Sequence, residues 1–253
     1  MESVTEGGEH GGLQRWQLTI VRLAKAKESC FLNVSPTVDV GLFLLKRILM
    51  DIVYEAAAKY VALECCKYVF VLSQKRKNIV VRVDFKDEDF FHLAGLQYLT
   101  DIDIPQNRKK TLNSILFEKN LTEDFLHKSE IYRNPKPDKN IPGRIDHLRF
   151  LEEYLDTDNI IKIFTLRNQG KKASFIRADY VIESSYNRSK DTVYIFLKRR
   201  AEDSEYYGIV SFFPKDKAIY SGDILYWMEK KKILRNKTKI LFQHKNFRES
   251  DYF

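Results

Sequence analysis

Apolar positions along the chain follow a helical period first and a strand period later. Leu44, Ile48, Ile52, Tyr54, Ala58 and Val61 recur three or four residues apart, which predicts a long core-facing helix from about 40 to 66. A shorter helix is expected from Trp16 to Cys30, with Ser35-Pro36 breaking the chain between the two. The run Ile79–Phe85 is rich in β-branched residues and begins to alternate, so it reads as a strand that Lys86-Asp87 ends, with Asp87 able to cap the next helix. Helices then follow at about 88–99, 108–119, 122–132 and 144–155, divided by Asn120-Leu121 and by the proline-bearing loop NPKPDKNIPG at 134–143. From Asn159 the apolar residues come in short runs rich in Ile, Phe, Tyr and Val, at 160–166, 174–184, 192–199, 206–213, 224–232 and 238–243. Turn-like segments separate them, the pattern of an antiparallel meander. Helices first and strands afterwards predict an α+β fold, with helices packed on one face of a twisted sheet, and argue against a parallel doubly wound one.

The expected organisation is a glycine-punctuated leader over 1–14, a helical region over 15–72 and an α+β domain over 73–253. The first dozen residues are acidic and glycine-rich, unlike a secretory signal. The longest apolar region is interrupted by Lys46, Arg47, Asp51, Glu55, Lys59 and Glu64, so it reads as a buried helix and not a membrane span. A cytoplasmic location without membrane attachment is the expectation. Cys30, Cys65 and Cys66 are odd in number and two are adjacent, which favours buried thiols over disulfides.

Charge sharpens this picture only once it is located. Lys and Arg number 43 against 35 Asp and Glu, a net +8 that suits a polyanionic partner. Residues 107–200 hold 20 of the basic and 13 of the acidic side chains, so seven of the eight net charges lie on the expected helices and the first strands after them. A well-solvated helical surface and a phosphate-binding face both account for such an excess.

Several reaction classes lack their motifs. The chain has no phosphate-binding loop with a following Lys-Ser/Thr, no GxGxxG after a strand, no GxSxG and no HExxH. His92, His127 and His147 have no second His or Cys at ligand spacing, so neither metal nor cofactor is expected. His92 stands out because a helix would place it on one face with Gly95, Leu96 and Leu99, among Phe90, Phe91, Leu93 and Ala94. A glycine inside a helix costs about 1 kcal/mol relative to alanine. Its presence there fits either a close helix contact beside a core histidine or the approach of a ligand to the imidazole.

The segment VRVDFKDEDFFHLAGLQYLTDI (81–102) resembles the signature of a phage-associated nuclease family, the fourth type of the barnase-EndoU-colicin-RelE-like group. Further pieces follow in the family's order: Lys128-Ser129, IPGRIDHL at 141–148, ADYVI at 178–182, VYIFL at 193–197 and SFFPK at 211–215. The similarity spans about 75–220. It implies a compact α+β domain whose N-terminal helices pack on a C-terminal curved antiparallel β-sheet, and metal-independent RNA cleavage. In that chemistry a base takes the 2′-hydroxyl proton, the oxygen attacks the adjacent phosphorus, a cation stabilises the added charge, and an acid protonates the leaving 5′-oxygen.

Carried over position by position, the resemblance makes His92 the general base or acid, Lys128 and Arg144 the phosphate ligands, and Ser129 and Ser211 hydroxyls that bond or face the phosphate. Lys128, Arg144, Arg149 and Arg177 are the expected nucleic-acid contacts. Plainer roles stand beside these: solvation for Lys128, a helix cap for Ser129, an ion pair with Asp146 or Glu130 for Arg144, a strand-end hydrogen bond for Ser211, and a cross-strand ion pair for Arg177 and Asp179. The expected partners are RNA and a protein antitoxin, in a toxin or effector of phage or mobile-element type. The alternative is a non-catalytic nucleic-acid or protein-binding module of the same fold.

Overall fold

The chain divides into two units, Met1–Leu49 and Met50–Phe253. A computed structural model describes residues 51–75, 77–136, 139–165, 176–185, 192–215, 220–235 and 237–251. The expected leader, the helix at 16–30 and the first part of the long helix lie outside the described residues.

Helix α1 spans Ile52–Leu63. One carboxylate starts two helices: Asp51 accepts the Tyr54 N–H at 2.9 Å as N-cap of α1, and its other oxygen accepts the Glu123 N–H at 2.8 Å at the start of a later helix. The helix ends before the expected 66, because Cys66–Gln74 is strand β1, paired antiparallel with β2 (Lys77–Val83). Tyr68–Leu72 of β1 are all buried, so this stretch reads as a continuous apolar run that periodicity cannot separate from a core helix. Six short helices follow: α2 (Asp87–Leu93), α3 (Arg108–Leu116), α4 (Glu123–Leu126), α5 (Glu130–Arg133), α6 (Ile141–Leu148) and α7 (Leu151–Asp156). Capping side chains cut them short. Asn107, Thr122, Ser129 and Asn140 each accept a backbone N–H of the first turn that follows. The expected helix at 122–132 is thereby two helices, and the one expected at 144–155 is also two, parted at Arg149-Phe150 without a capping side chain.

Strands β3 (Asn159–Ile163), β4 (Tyr180–Ser185), β5 (Thr192–Arg199), β6 (Tyr206–Lys215), β7 (Ile224–Leu234) and β8 (Lys237–Gln243) complete one eight-stranded sheet. Its order is β1-β2-β6-β5-β4-β3-β7-β8, and β7 also pairs with β1. The pairings therefore run round through seven strands and return to the first, with β8 on the flank of β7. The expectation of an antiparallel sheet is corrected, since β2 and β6 run parallel through Arg82↔Tyr206 and Val83↔Tyr207 and the sheet is mixed. The α+β class stands.

That parallel pairing stops at Tyr207, and helices α2 and α6 both pack on β6. Arg200 fastens the junction. Its guanidinium contacts Asp84 at the end of β2, donates to the Asp84 carbonyl at 3.0 Å, and reaches the Asp89 carboxylate of α2 at 2.8 Å. Gly208 makes room for it, because a Cβ there would lie 2.7 Å from the Arg200 guanidinium carbon. The core under α1 and α2 is aromatic, with Tyr60 edge-on to Phe85 and tilted against Phe90. A second cluster gathers Phe164, Val181, Tyr194 and Phe196 with Phe213 and Tyr220 against it.

Candidate active site

Helix α2 carries Asp87, Glu88 and Asp89 in its first turn and His92 in its last, the charge order that the helix dipole favours. Phe90, Phe91 and Leu93 are buried and anchor the helix, leaving His92 half-buried at its C-terminal end. Gly95 does not sit inside a helix as the spacing predicts. At φ +78° it is the left-handed residue that stops α2, and its N–H returns to the His92 carbonyl at 3.1 Å. The Gln97 amide donates to the same carbonyl at 3.5 Å, while its own oxygen is buried without a hydrogen-bond partner.

Gly95 links His92 to Arg144. A Cβ at Gly95 would stand 3.0 Å from Cδ of Arg144, so only glycine combines this backbone conformation with this closeness. Arg144, in the first turn of α6, is only 5% exposed. Its Nη1 donates to the Phe212 carbonyl of β6 at 3.0 Å, and the guanidinium lies 5.6 Å from the Tyr98 ring centre and 5.2 Å from that of Phe213. Its Nε is buried with no hydrogen-bond partner. Among the described residues it has no carboxylate within ion-pair distance. Burial depresses its proton affinity, and the ionisable groups that act on it are two phenols, Tyr98 and Tyr220. A guanidinium buried this deeply without an anion is costly.

Beside His92 stands a residue that sequence reasoning missed. Arg108, the first residue of α3, places Nη2 2.5 Å from Nε2 of His92. Burial and the Arg108 charge hold the imidazole below the usual histidine range, against a smaller opposing effect of Asp89. A basic residue after an Asn cap was legible in the chain; its partner sixteen positions earlier was not.

The remaining expected residues disperse. Ser211 lies on β6 next to Phe212 and shares a strand face with Phe213, so it joins the Arg144 neighbourhood. Ser129 is fully buried and committed: it caps α5 by accepting the Tyr132 N–H at 3.1 Å and donates to Asp101 at 2.6 Å. Asp101 in turn receives the Glu130 and Ile131 N–H groups, and these bonds, the Ser129 hydroxyl first, hold its carboxyl below the ordinary range. Lys128 is exposed over the Phe125 ring. Arg149 clamps α6 to α1, with one arm on Glu55 at 2.9 Å and the other on Asp146. Arg177 is exposed ahead of β4, and Asp179 accepts the Arg199 N–H at 2.8 Å. Of the other histidines, His147 is buried against the Tyr154 hydroxyl at 2.6 Å. Among the described residues no three His, Cys, Asp or Glu converge as metal ligands, and no helix is long and apolar enough to cross a membrane.

The fold and site thus define a class: an α+β domain whose helices carry an imidazole in contact with an exposed guanidinium, and a second, buried guanidinium packed against the glycine that ends the imidazole's helix. The chain belongs to the phage-Barnase-EndoU-ColicinE5/D-RelE like nuclease 4 family, whose model matches residues 52–249. No curated protein and no solved structure matches it.

Proposed function

We propose that the domain is an RNA endonuclease that cleaves by attack of a 2′-hydroxyl on the adjacent phosphate, without metal or cofactor. The observation that carries this reading is Arg144, a buried guanidinium with an unpartnered N–H and no carboxylate, held against the glycine that ends the His92 helix. Arg144 supplies the positive charge that the pentavalent phosphorus needs. His92, whose imidazole is biased toward the neutral form, takes the 2′-hydroxyl proton; such proton transfer contributes about 10²–10⁴-fold. Ser211 is the hydroxyl proposed to face the phosphate from β6, and the exposed Lys128 and Arg177 are outlying backbone contacts. The family description supports a nuclease of phage or mobile-element type, for which a cytoplasmic toxin or effector restrained by a protein antitoxin is the corresponding setting.

One observation favours a non-catalytic binding module instead: the Nε2 lone pair of His92 already receives Arg108. Incubation of purified protein with total RNA in EDTA separates the two readings. Cleavage that disappears in His92→Ala, with folding retained, is the expected result. Intact RNA alongside steeply salt-dependent binding would overturn the enzyme.

A further inference from the structure

Arg108 is an exposed arginine whose guanidinium is spent on an imidazole. Its Nη2 lies 2.5 Å from His92 Nε2, and among the described residues it has no carboxylate partner. A guanidinium offers donors only, so the contact makes Nε2 the acceptor, leaves the ring neutral and puts its single proton on Nδ1. The charged groups around the ring are few. Asp89, one turn back on α2, favours protonation but is itself tied to Arg200, and Arg108 on α3 opposes it. In this state the nitrogen that faces Arg108 cannot exchange a proton with anything else.

The bond is also a weak use of an arginine. A guanidinium bound to phosphate is charge-assisted on both sides and is often bidentate, whereas a neutral imidazole supplies one uncharged lone pair. We propose that Arg108 is a displaceable phosphate clamp: an incoming backbone phosphate draws Arg108 off His92 and so frees Nε2 only when a phosphate is present. The substrate then supplies its own trigger. Arg108 and Arg144 differ accordingly in build, the first exposed and bonded to the imidazole, the second buried and pinned to the Phe212 carbonyl. This deepens the nuclease reading, but its test follows a proton and not a cut strand.

The experiment is an NMR titration of the His92 ring, assigned by its loss in His92→Gln. It is run on the full chain and on Arg108→Gln, alone, with inorganic phosphate, and with an oligodeoxynucleotide, which lacks the 2′-hydroxyl. The expected result is that either probe raises the proton affinity of His92 in the unmodified chain. Arg108→Gln should show the raised value without any probe, and should respond to neither one. A response to the oligonucleotide alone assigns the clamp to an extended backbone; a response to both assigns it to the phosphate group itself. Oligonucleotide binding by Arg108→Gln should also lose about one unit of salt slope. An unchanged His92 titration in Arg108→Gln, or an equal phosphate response with and without Arg108, overturns the proposal. RNA that stays uncut while the His92 response persists removes the nuclease reading and leaves the clamp.

Discussion

Replacing Arg144 by methionine tests whether its charge serves an anion or the fold. The substitution keeps an unbranched stem against Gly95 and removes the guanidinium. Lost with it are the charge-assisted bond to the Phe212 carbonyl, worth about 1.5–3 kcal/mol, and two ring contacts, to Tyr98 and Phe213, worth about 1 kcal/mol each. Removed at the same time is the cost of holding a 95% desolvated ion with no counter-charge, which is several kcal/mol in real proteins. The two sides nearly cancel, so Arg144→Met should change stability by no more than about 2 kcal/mol in either direction. For a unit of this size that is a shift of roughly 8 °C or less in the thermal midpoint, followed by circular dichroism. Cleavage of RNA by the same preparation should fall by about 10²–10³-fold, the usual consequence of deleting one donor to a developing oxyanion. A variant that unfolds, or that loses more than about 4 kcal/mol, would refute the reasoning. It would make Arg144 a buried structural pin between α6 and β6, and the absence of a carboxylate among the described residues would no longer argue for a phosphate.

Three further outcomes follow from the same geometry. Gly95→Ala should cost about 1–2 kcal/mol for the left-handed backbone alone and also push on the Arg144 stem, whereas Gly95→Asn should recover the backbone part and not the crowding; equal stability of Ala and Gly in denaturant titrations would contradict the assigned conformation. Ser129→Ala removes the α5 cap and should lower stability by about 1–2 kcal/mol while leaving RNA cleavage per folded molecule unchanged; a selective loss of cleavage would return Ser129 to the site. Glu64, at the end of α1, has a buried oxygen without a partner, and burial, with Asp87 adding to it, pushes its carboxyl up to about 7 from an ordinary 4.5. The folded state therefore binds the proton more tightly. The contribution of Glu64 to stability is full below about pH 4.5 and is lost as pH rises through 7, so Glu64→Gln should gain on the unmodified chain across that window. Parallel stability curves for the two would show that the group is not buried as described.

Strands were legible where turn-like residues set off an apolar run, even with both faces buried, as in β5. β5 was expected at 192–199 and runs over Thr192–Arg199, because turn residues bound its apolar run on both sides. β1 was not legible, because it follows α1 after only two residues and its buried run Tyr68–Leu72 carries no period that would separate it from that helix. Gly95 shows the limit most clearly. Its spacing from His92 fits a helical face, yet a glycine directly after Leu93-Ala94 is also the usual stop signal, and only the backbone φ of +78° decides between them. A family resemblance and a histidine on a helix could be named from local residues alone.

The partners of that histidine could not. Arg108 reaches it from sixteen positions away, Arg144 packs its stem against the left-handed glycine that ends the same helix, and Arg149, which the resemblance assigned to RNA, is claimed by Glu55, ninety-four positions earlier. Local sequence determined where the helices start, because caps and periods act within one turn, and it determined the character of the strands. Tertiary structure decided which cations are already paired and which remain for an anion. Ion pairing falls off within a few ångströms of space, and the chain distance between two groups carries no record of it.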